Sequence, residues 1–296
     1  MSGKLAEVES RIGTVHQLEA VISAMRGAAA ARSREARSRL DGIRAYAAAI
    51  GGAIGQALAL APDPDPQPRQ SRSPQRHVLI VLCSEQGFAG SFNERVLDAA
   101  EHHLEAAGSE LLVAGDRGAM VAAERGFVFD WSAPMVTHVE EVPRLAGEIS
   151  DVLYSRLEKD QVTRVTVIHA VPGPSASIEI VERALLPFDF ARFKVVPRSI
   201  PPITTSPPEQ LLVQLADEYV YAELCEEVML SFAAENEARM AAMIAARSNV
   251  ARKLDELVAS FRRLRQEEIT GEIIELSAGS ITAAAATKRK RNRAVA

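Results

Sequence analysis

Proline is absent from both ends of this chain of 296 residues. All fifteen prolines lie between Pro62 and Pro208, and residues 209–296 contain only two glycines, Gly271 and Gly279. Proline removes a backbone donor and glycine lowers helix propensity, so their absence favours long, uninterrupted helices. The partition predicts one long helix at each end and a turn-rich domain between them.

Other absences exclude whole classes of protein. No apolar run approaches the ~18 residues of a membrane span, and residues 1–20 lack the apolar segment of a signal peptide. Aromatic residues make up only 5% of the chain, which argues against nucleic-acid binding by stacking. The two cysteines, Cys83 and Cys225, suit reduced, buried thiols. We therefore expect neither direct membrane insertion nor a nucleic-acid partner.

The C-terminal segment carries a heptad pattern. Its apolar residues alternate in steps of four and three, at Val250, Leu254, Leu257, Phe261 and Leu264. Apolar residues at the N-terminal end show similar spacing, at Leu5, Val8, Ile12, Val15, Ile22, Met25 and Ala29. This spacing is typical of helices that wind around each other. It predicts an antiparallel coiled coil of the N- and C-terminal helices.

The middle of the chain alternates apolar strands with helices. Strands are predicted at 77–84, 110–116, 127–131, 164–171, 177–188 and 193–200, with helices at 93–107, 117–126 and 142–159. Alternation of this kind predicts a mostly parallel, Rossmann-like α/β sheet with helices on both faces, and the last two strands read as an antiparallel pair or edge strands. The predicted domains are a helix at 1–61, a proline-rich linker at 62–76, an α/β domain at 77–206, a helix at 207–286 and a disordered basic tail at 287–296.

The sequence offers little chemistry of its own. The loop with Gly87 and Gly90 lies between a strand and a helix, yet it lacks the glycine spacing of a dinucleotide site and the lysine of a P-loop. The six histidines show no zinc spacing, and no nucleophile elbow is present. We predict no catalytic residue, no cofactor and no metal. A nucleotide-binding enzyme that uses the Gly87 loop and a coiled-coil scaffold with an α/β head remain as alternatives.

Three separated segments share a pattern with one known family: residues 11–36, residues 84–93 with the letters SEQGFAGSFN, and residues 231–279. The last contains Glu235, Arg239, Met240, Met243 and Asn249 at family spacing, followed by RQEEITGEIIE from Arg265. On these motifs the chain resembles the gamma subunit of the bacterial rotary ATP synthase. Phe88 and Ser91 depart from the family's loop, and ten residues extend beyond its usual end, which indicates a divergent branch.

The resemblance implies a central rotor shaft, present as one copy per complex, that couples ion flow through the membrane c-ring to ATP synthesis or hydrolysis. The implied partners are the alpha and beta subunits of the hexamer, the epsilon subunit and the c-ring. The implied location is the cytoplasmic face of the bacterial inner membrane, as a peripheral subunit. Catalysis would belong to the partner subunits.

The resemblance also assigns residues to three surfaces. Contacts with the beta subunits are expected from Arg26, Arg32, Arg34, Arg239, Arg265, Gln266, Thr270 and Glu275. A bearing in an apolar collar is expected from Ile273, Ile274, Leu276 and Ile281. The loop with Gly87, Gly90 and Asn93 is expected in the foot of the shaft, and the basic tail is expected to be dispensable for assembly.

Overall fold

The computed structural model describes residues 2–60, 76–104, 109–158, 162–174, 177–195 and 203–293, except for the side chains of residues 2 and 278–293. The chain forms two compact units, one of Arg26–Ala242 and one of Met1–Met25 with Met243–Ala296. The long helices α1 (Ser2–Leu58) and α5 (Pro208–Arg293) contribute to both units. Pro208 begins α5, in the first turn where proline needs no intrahelical donor.

A five-stranded sheet lies in the unit of residues 26–242. Its strands are β1 (His77–Leu82), β2 (Ser109–Ala114), β3 (Trp131–Ala133), β4 (Arg164–Pro172) and β5 (Ile178–Leu186). The order is β3-β2-β1-β4-β5, with the first four strands parallel and β5 antiparallel to β4. The predicted, mostly parallel sheet is confirmed.

Helices cover both faces of this sheet, as predicted. They are α2 (Phe92–Leu104), α3 (Asp116–Glu124) and α4 (Val142–Leu157), with short 3-10 turns at Val139–Glu141 and Phe190–Arg192. Alternate residues of β1 point to opposite faces: Ile80 packs in the layer of α4, and Val81 in the layer of α2 and α3. Because both faces are buried, the strand reads as one continuous apolar run.

Close packing at the end of β1 depends on two glycines. A Cβ atom at Gly118 would lie 1.9 Å from the Cβ atom of Cys83, so only glycine lets α3 approach the strand. Gly115 has a φ of +110°, and a Cβ there would lie 2.7 Å from the Cys83 carbonyl oxygen. These glycines therefore serve the close packing of helix and strand.

One predicted strand is displaced and another is wrong. The strand expected at 127–131 begins at Trp131, because Gly126, with a φ of +80°, ends α3 and the Phe127 N–H donates back to the Ala122 carbonyl. Residues 193–195 form no strand: the ring of Phe193 instead stacks on Phe188, 5.7 Å between centroids. Residues 196–200 of that prediction lie outside the described residues, and the antiparallel partner of β5 is β4.

The domain boundaries remain predictions, since the compact units follow a different division of the chain. The predicted linker lies outside the described residues except for Arg76. The basic tail, expected to be disordered from residue 287, continues α5 as far as Arg293. The preceding alanines at 283–286 have the highest helix propensity of any residue and favour this continuation.

Antiparallel pairing of the two long helices is visible in the unit of residues 26–242. The Ser33 hydroxyl donates to Glu237 at 3.1 Å, and the Arg44 guanidinium donates to Glu226 at 2.8 Å. Residues later in α1 therefore pair with residues earlier in α5. This pairing agrees with the predicted antiparallel arrangement.

The unit of residues 1–25 and 243–296 contains the predicted heptad seam. Leu254, Leu257 and Phe261 are half-buried between exposed charged residues, while Ile22 and Met243 are buried. Arg247 takes a seam position and its guanidinium lies 3.7 Å from the Glu19 carboxylate. The spacing in the sequence thus correctly identified the buried side of the helices.

Candidate functional site

The densest polar cluster joins α5 to the loop that follows β1. Arg239 is only 4% exposed. Its guanidinium donates to the Glu235 carboxylate and to the carbonyl oxygens of Gln86 and Gly87, at 3.0 and 3.1 Å from the carbonyls. The prediction that Arg239 contacts a beta subunit is wrong, because its donors are used inside the chain.

Glu235 completes the cluster from the other side. Its carboxylate is 2% exposed and accepts the Gln86 backbone N–H at 3.4 Å. Burial raises the pKa of Glu235, while the Arg239 guanidinium and the loop N–H groups act in the opposite direction. The pair therefore ties the loop to one turn of α5 by charge-assisted hydrogen bonds.

The loop itself has a defined shape. Phe88 and Gly90 both have φ values of +63°, and the Phe88 ring is 69% exposed. The Asn93 side chain is buried, accepts the Ser84 N–H at 2.8 Å and donates to the Ser84 hydroxyl at 2.8 Å. The structure thus brings Gly87, Gly90 and Asn93 together, and the strained Phe88 backbone presents an aromatic ring to solvent.

This edge of the sheet is where α/β proteins bind phosphate. Here the Glu85 carboxylate accepts the Asp116 N–H at 3.1 Å and the Met135 N–H at 2.7 Å. The N-terminal turn of α3 is therefore occupied by the chain's own carboxylate. The described residues contain no group of three or more His, Cys, Asp or Glu side chains that could hold a metal ion.

The predicted arginines of α1 lie in the unit of residues 26–242. Arg34 is exposed, and Arg26 and Arg32 are half-buried. Their guanidinium groups make no ion pair with any described residue, whereas Arg37 nearby is paired with Glu237. Unpaired cations on a helix surface are available for an acidic partner.

The remaining predicted contacts lie in the other unit. Arg265, Gln266, Thr270 and Glu275 are exposed, and the Thr270 hydroxyl donates to the Gln266 carbonyl of its own helix at 2.8 Å. Three apolar residues follow on the same stretch of α5, with exposures of 58% for Ile273, 62% for Ile274 and 74% for Leu276. The Ile281 side chain lies outside the described residues.

Exposed isoleucine and leucine in close succession form an apolar patch on α5. The family resemblance of the sequence had already singled out this exposed segment of α5. It did not predict the buried network of Glu235 and Arg239, although their i,i+4 spacing on a helix was a visible signal of mutual pairing. None of the described helices is both long enough and apolar enough to cross a membrane.

These features define a class of protein in which a five-stranded α/β domain is inserted between two long, paired terminal helices. A family model described as ATP synthase matches residues 4–283. Curated relatives include the ATP synthase gamma chains of Gluconacetobacter diazotrophicus and Moorella thermoacetica, each 28% identical, over 93% of this chain and 98% of the relative. The chain belongs to the ATP synthase family, as one of its gamma chains.

Solved structures agree on the fold. The chain resembles a chain of the Euglena gracilis mitochondrial ATP synthase (OSCP/F1/c-ring, rotational state 3) with a TM-score of 0.65, 11% identity and coverage of 97% of both chains. It resembles a chain of the Tetrahymena thermophila mitochondrial ATP synthase central stalk/c-ring with a TM-score of 0.56, 20% identity and coverage of 76% and 99%.

Proposed function

We propose that this protein is the central rotor shaft of an F-type ATP synthase. It would couple ion flow through the membrane c-ring to ATP synthesis or hydrolysis in the hexamer of alpha and beta subunits. The observation that carries the proposal is the match to the family over residues 4–283, which spans both terminal helices and the sheet domain.

Rotary coupling needs a stiff shaft that turns a different face towards each beta subunit. Two paired helices resist bending and twisting better than one, and the antiparallel contacts of α1 with α5 support that role. Each catalytic site then meets different side chains. Differential contacts of this kind bias each site to a different nucleotide state.

The proposed contact residues follow from exposure and charge. Arg26, Arg32 and Arg34 would face acidic segments of the beta subunits, and Arg265, Gln266, Thr270 and Glu275 would meet beta-subunit loops. Ile273, Ile274, Leu276 and Ile281 would form the bearing. The loop with Gly87, Gly90 and Asn93 would belong to the foot of the shaft. Arg239 is removed from the contact set because it is buried.

In this role the chain carries no catalytic site, and the chemistry belongs to its partners. The subunit would be present once per complex, with epsilon and the c-ring as further partners. It would lie at the cytoplasmic face of the bacterial inner membrane, peripheral to the bilayer.

Co-expression with the alpha and beta subunits of the same organism tests the proposal. Purification through a tag on this chain should recover alpha and beta in threefold excess, with ATPase activity. A bead attached through Val128→Cys, a site 84% exposed in the native protein, should rotate in one direction on addition of ATP. A scaffold would bring down neither subunit in that ratio, and a static bead on an active complex would exclude the rotor role.

A further inference from the structure

An apolar cavity of about 190 Å³ lies in the unit of residues 26–242. It is partly open and is lined by α4, by β5 and the segment after it, and by the first turns of α5. Its apolar wall includes Leu153, Leu157, Leu185, Phe188, Phe190 and Val220. An apolar cavity of about 150 Å³ is large enough for benzene, so this one suits a phenyl ring with a short alkyl chain.

One side of the cavity is polar. Asp217 and Tyr154 line it, and Asp217 is exposed while Tyr154 is half-buried. No Lys, Arg or His among the described residues pairs with Asp217. Partial burial raises the pKa of Asp217, and the Tyr154 hydroxyl opposes that rise. Since a carboxylate has two acceptor oxygens and Asp217 is exposed, this residue has acceptor capacity for a ligand.

Arg192, on the segment after β5, makes its contacts outside the cavity. The Arg192 guanidinium lies over the Phe188 ring at 5.1 Å and over the Tyr219 ring at 4.6 Å, and it is 3.1 Å from the Glu223 carboxylate. It does not line the cavity. Its ring contacts hold Phe188 in place, so that wall is formed before a ligand arrives.

We propose that this cavity binds a hydrophobic primary amine, with its apolar group among the leucines and phenylalanines and its ammonium group on Asp217. A carboxylate beside an apolar cavity repels anions and gives neutral ligands only an ordinary hydrogen bond. An ammonium donor gains a charge-assisted bond as well as apolar burial. The inference does not depend on the proposed function, because every residue involved lies in one unit.

The test compares two probes of the same shape on the full chain, 4-phenylbutylamine and 4-phenyl-1-butanol, by isothermal titration calorimetry. The amine should bind about threefold more tightly, the effect of one ion pair at a solvent-exposed carboxylate. Asp217→Asn should remove that difference and leave the alcohol unchanged. Asp151→Asn, an exposed carboxylate on α4 outside the cavity lining, is the matched control and should keep it.

Filling the cavity is the second arm. Ala216 lines the cavity and is 9% exposed, so Ala216→Leu should weaken both probes by about tenfold or more. Thermal unfolding checks that the Ala216→Leu variant folds. If Ala216→Leu is unstable, the Asp217→Asn comparison decides the test on its own. Equal affinity for the two probes, no binding of the amine, or tighter amine binding retained in Asp217→Asn would each overturn the proposal.

Discussion

Glu235 and Arg239 are two opposite charges held almost fully out of water. Their charged groups bond to each other and to the backbone of the loop after β1. A buried pair of this kind contributes little by itself, but removal of one partner strands the other charge in the interior. The consequence of losing Arg239 is therefore structural.

We expect Arg239→Met to lower the free energy of unfolding by about 3–5 kcal/mol, because Glu235 is left buried without its cation. Urea denaturation at neutral pH measures the loss. The double variant Glu235→Gln with Arg239→Met should recover much of it. Arg252→Met, at an exposed position of the same helix, is the control and should change stability little. A loss in Arg239→Met no larger than in this control would contradict the buried-pair interpretation.

Glu227 presents a different electrostatic problem. Both of its carboxylate oxygens are buried without a hydrogen-bond partner among the described residues, and the Arg183 guanidinium is 3.7 Å away. Arg183 instead donates to Glu223 at 2.7 Å. Burial therefore raises the pKa of Glu227 well above that of an ordinary glutamate, and the charge of Arg183 only partly opposes this.

This raised pKa predicts a pH-dependent benefit of Glu227→Gln. At a pH below the ordinary glutamate pKa of about 4.3, the side chain is protonated whether the protein is folded or unfolded. As the pH rises, the unfolded chain loses the proton and the folded protein keeps it, so wild-type stability falls. The variant should gain stability over wild type from about pH 4.5 upwards. Glu267→Gln, on the exposed surface of α5, is the control, and parallel stability curves for Glu227→Gln and wild type would contradict the prediction.

Among the elements, the strands and the helical seam were the most predictable. β1 and β4 are buried on both faces, which gives a long and largely apolar run in the sequence, and the seam of α5 repeats at steps of four and three. Both signals arise from burial of the element's own residues. Local sequence therefore identifies them without knowledge of the partner element.

Features that depend on distant residues were missed. The start of β3 at Trp131 depends on how Gly126 ends α3, and the segment after β5 follows the packing of Phe188, Phe193 and Tyr219 rather than strand pairing. Arg239 looked like a surface cation because its partners Gln86 and Gly87 lie about 150 positions earlier. Exposure of a charged side chain is decided by such long-range contacts.

The heptad seam can be tested at Leu254. This residue is half-buried in the unit of residues 1–25 and 243–296, so Leu254→Ala should cost about 1–2 kcal/mol of local stability, less than for a fully buried leucine. Hydrogen–deuterium exchange should speed up in residues 2–25 and 243–270 and remain slow in β1. Asp255→Ala, exposed beside it, should leave exchange unchanged. Unaltered protection in Leu254→Ala would show that the seam does not hold these helices.

For the whole molecule, the two native thiols offer a practical advantage. Cys83 and Cys225 are both buried, and burial raises the pKa of Cys83 to about 12 and that of Cys225 to about 11. Thiolates are the reactive form, so both cysteines should react slowly with maleimides at neutral pH. A cysteine introduced on the surface is then the only fast site, and the natural sequence needs no prior removal of thiols.

Such a cysteine tests where α5 meets its partners. Leu276→Cys replaces a residue that is 74% exposed in the isolated chain, and Val128→Cys replaces one that is 84% exposed in the sheet domain. In the isolated protein both should react with maleimide at similar rates. After assembly with alpha and beta subunits, Cys at 276 should be protected at least about tenfold, because an interface core excludes water, whereas Cys at 128 should stay reactive. Peptide mapping of a cross-linker attached at 276 should identify the alpha or beta subunit. Equal reactivity at 276 before and after assembly would remove Leu276 from the bearing. Assembly itself is measured by co-purification, so the rotor proposal is judged separately from this contact.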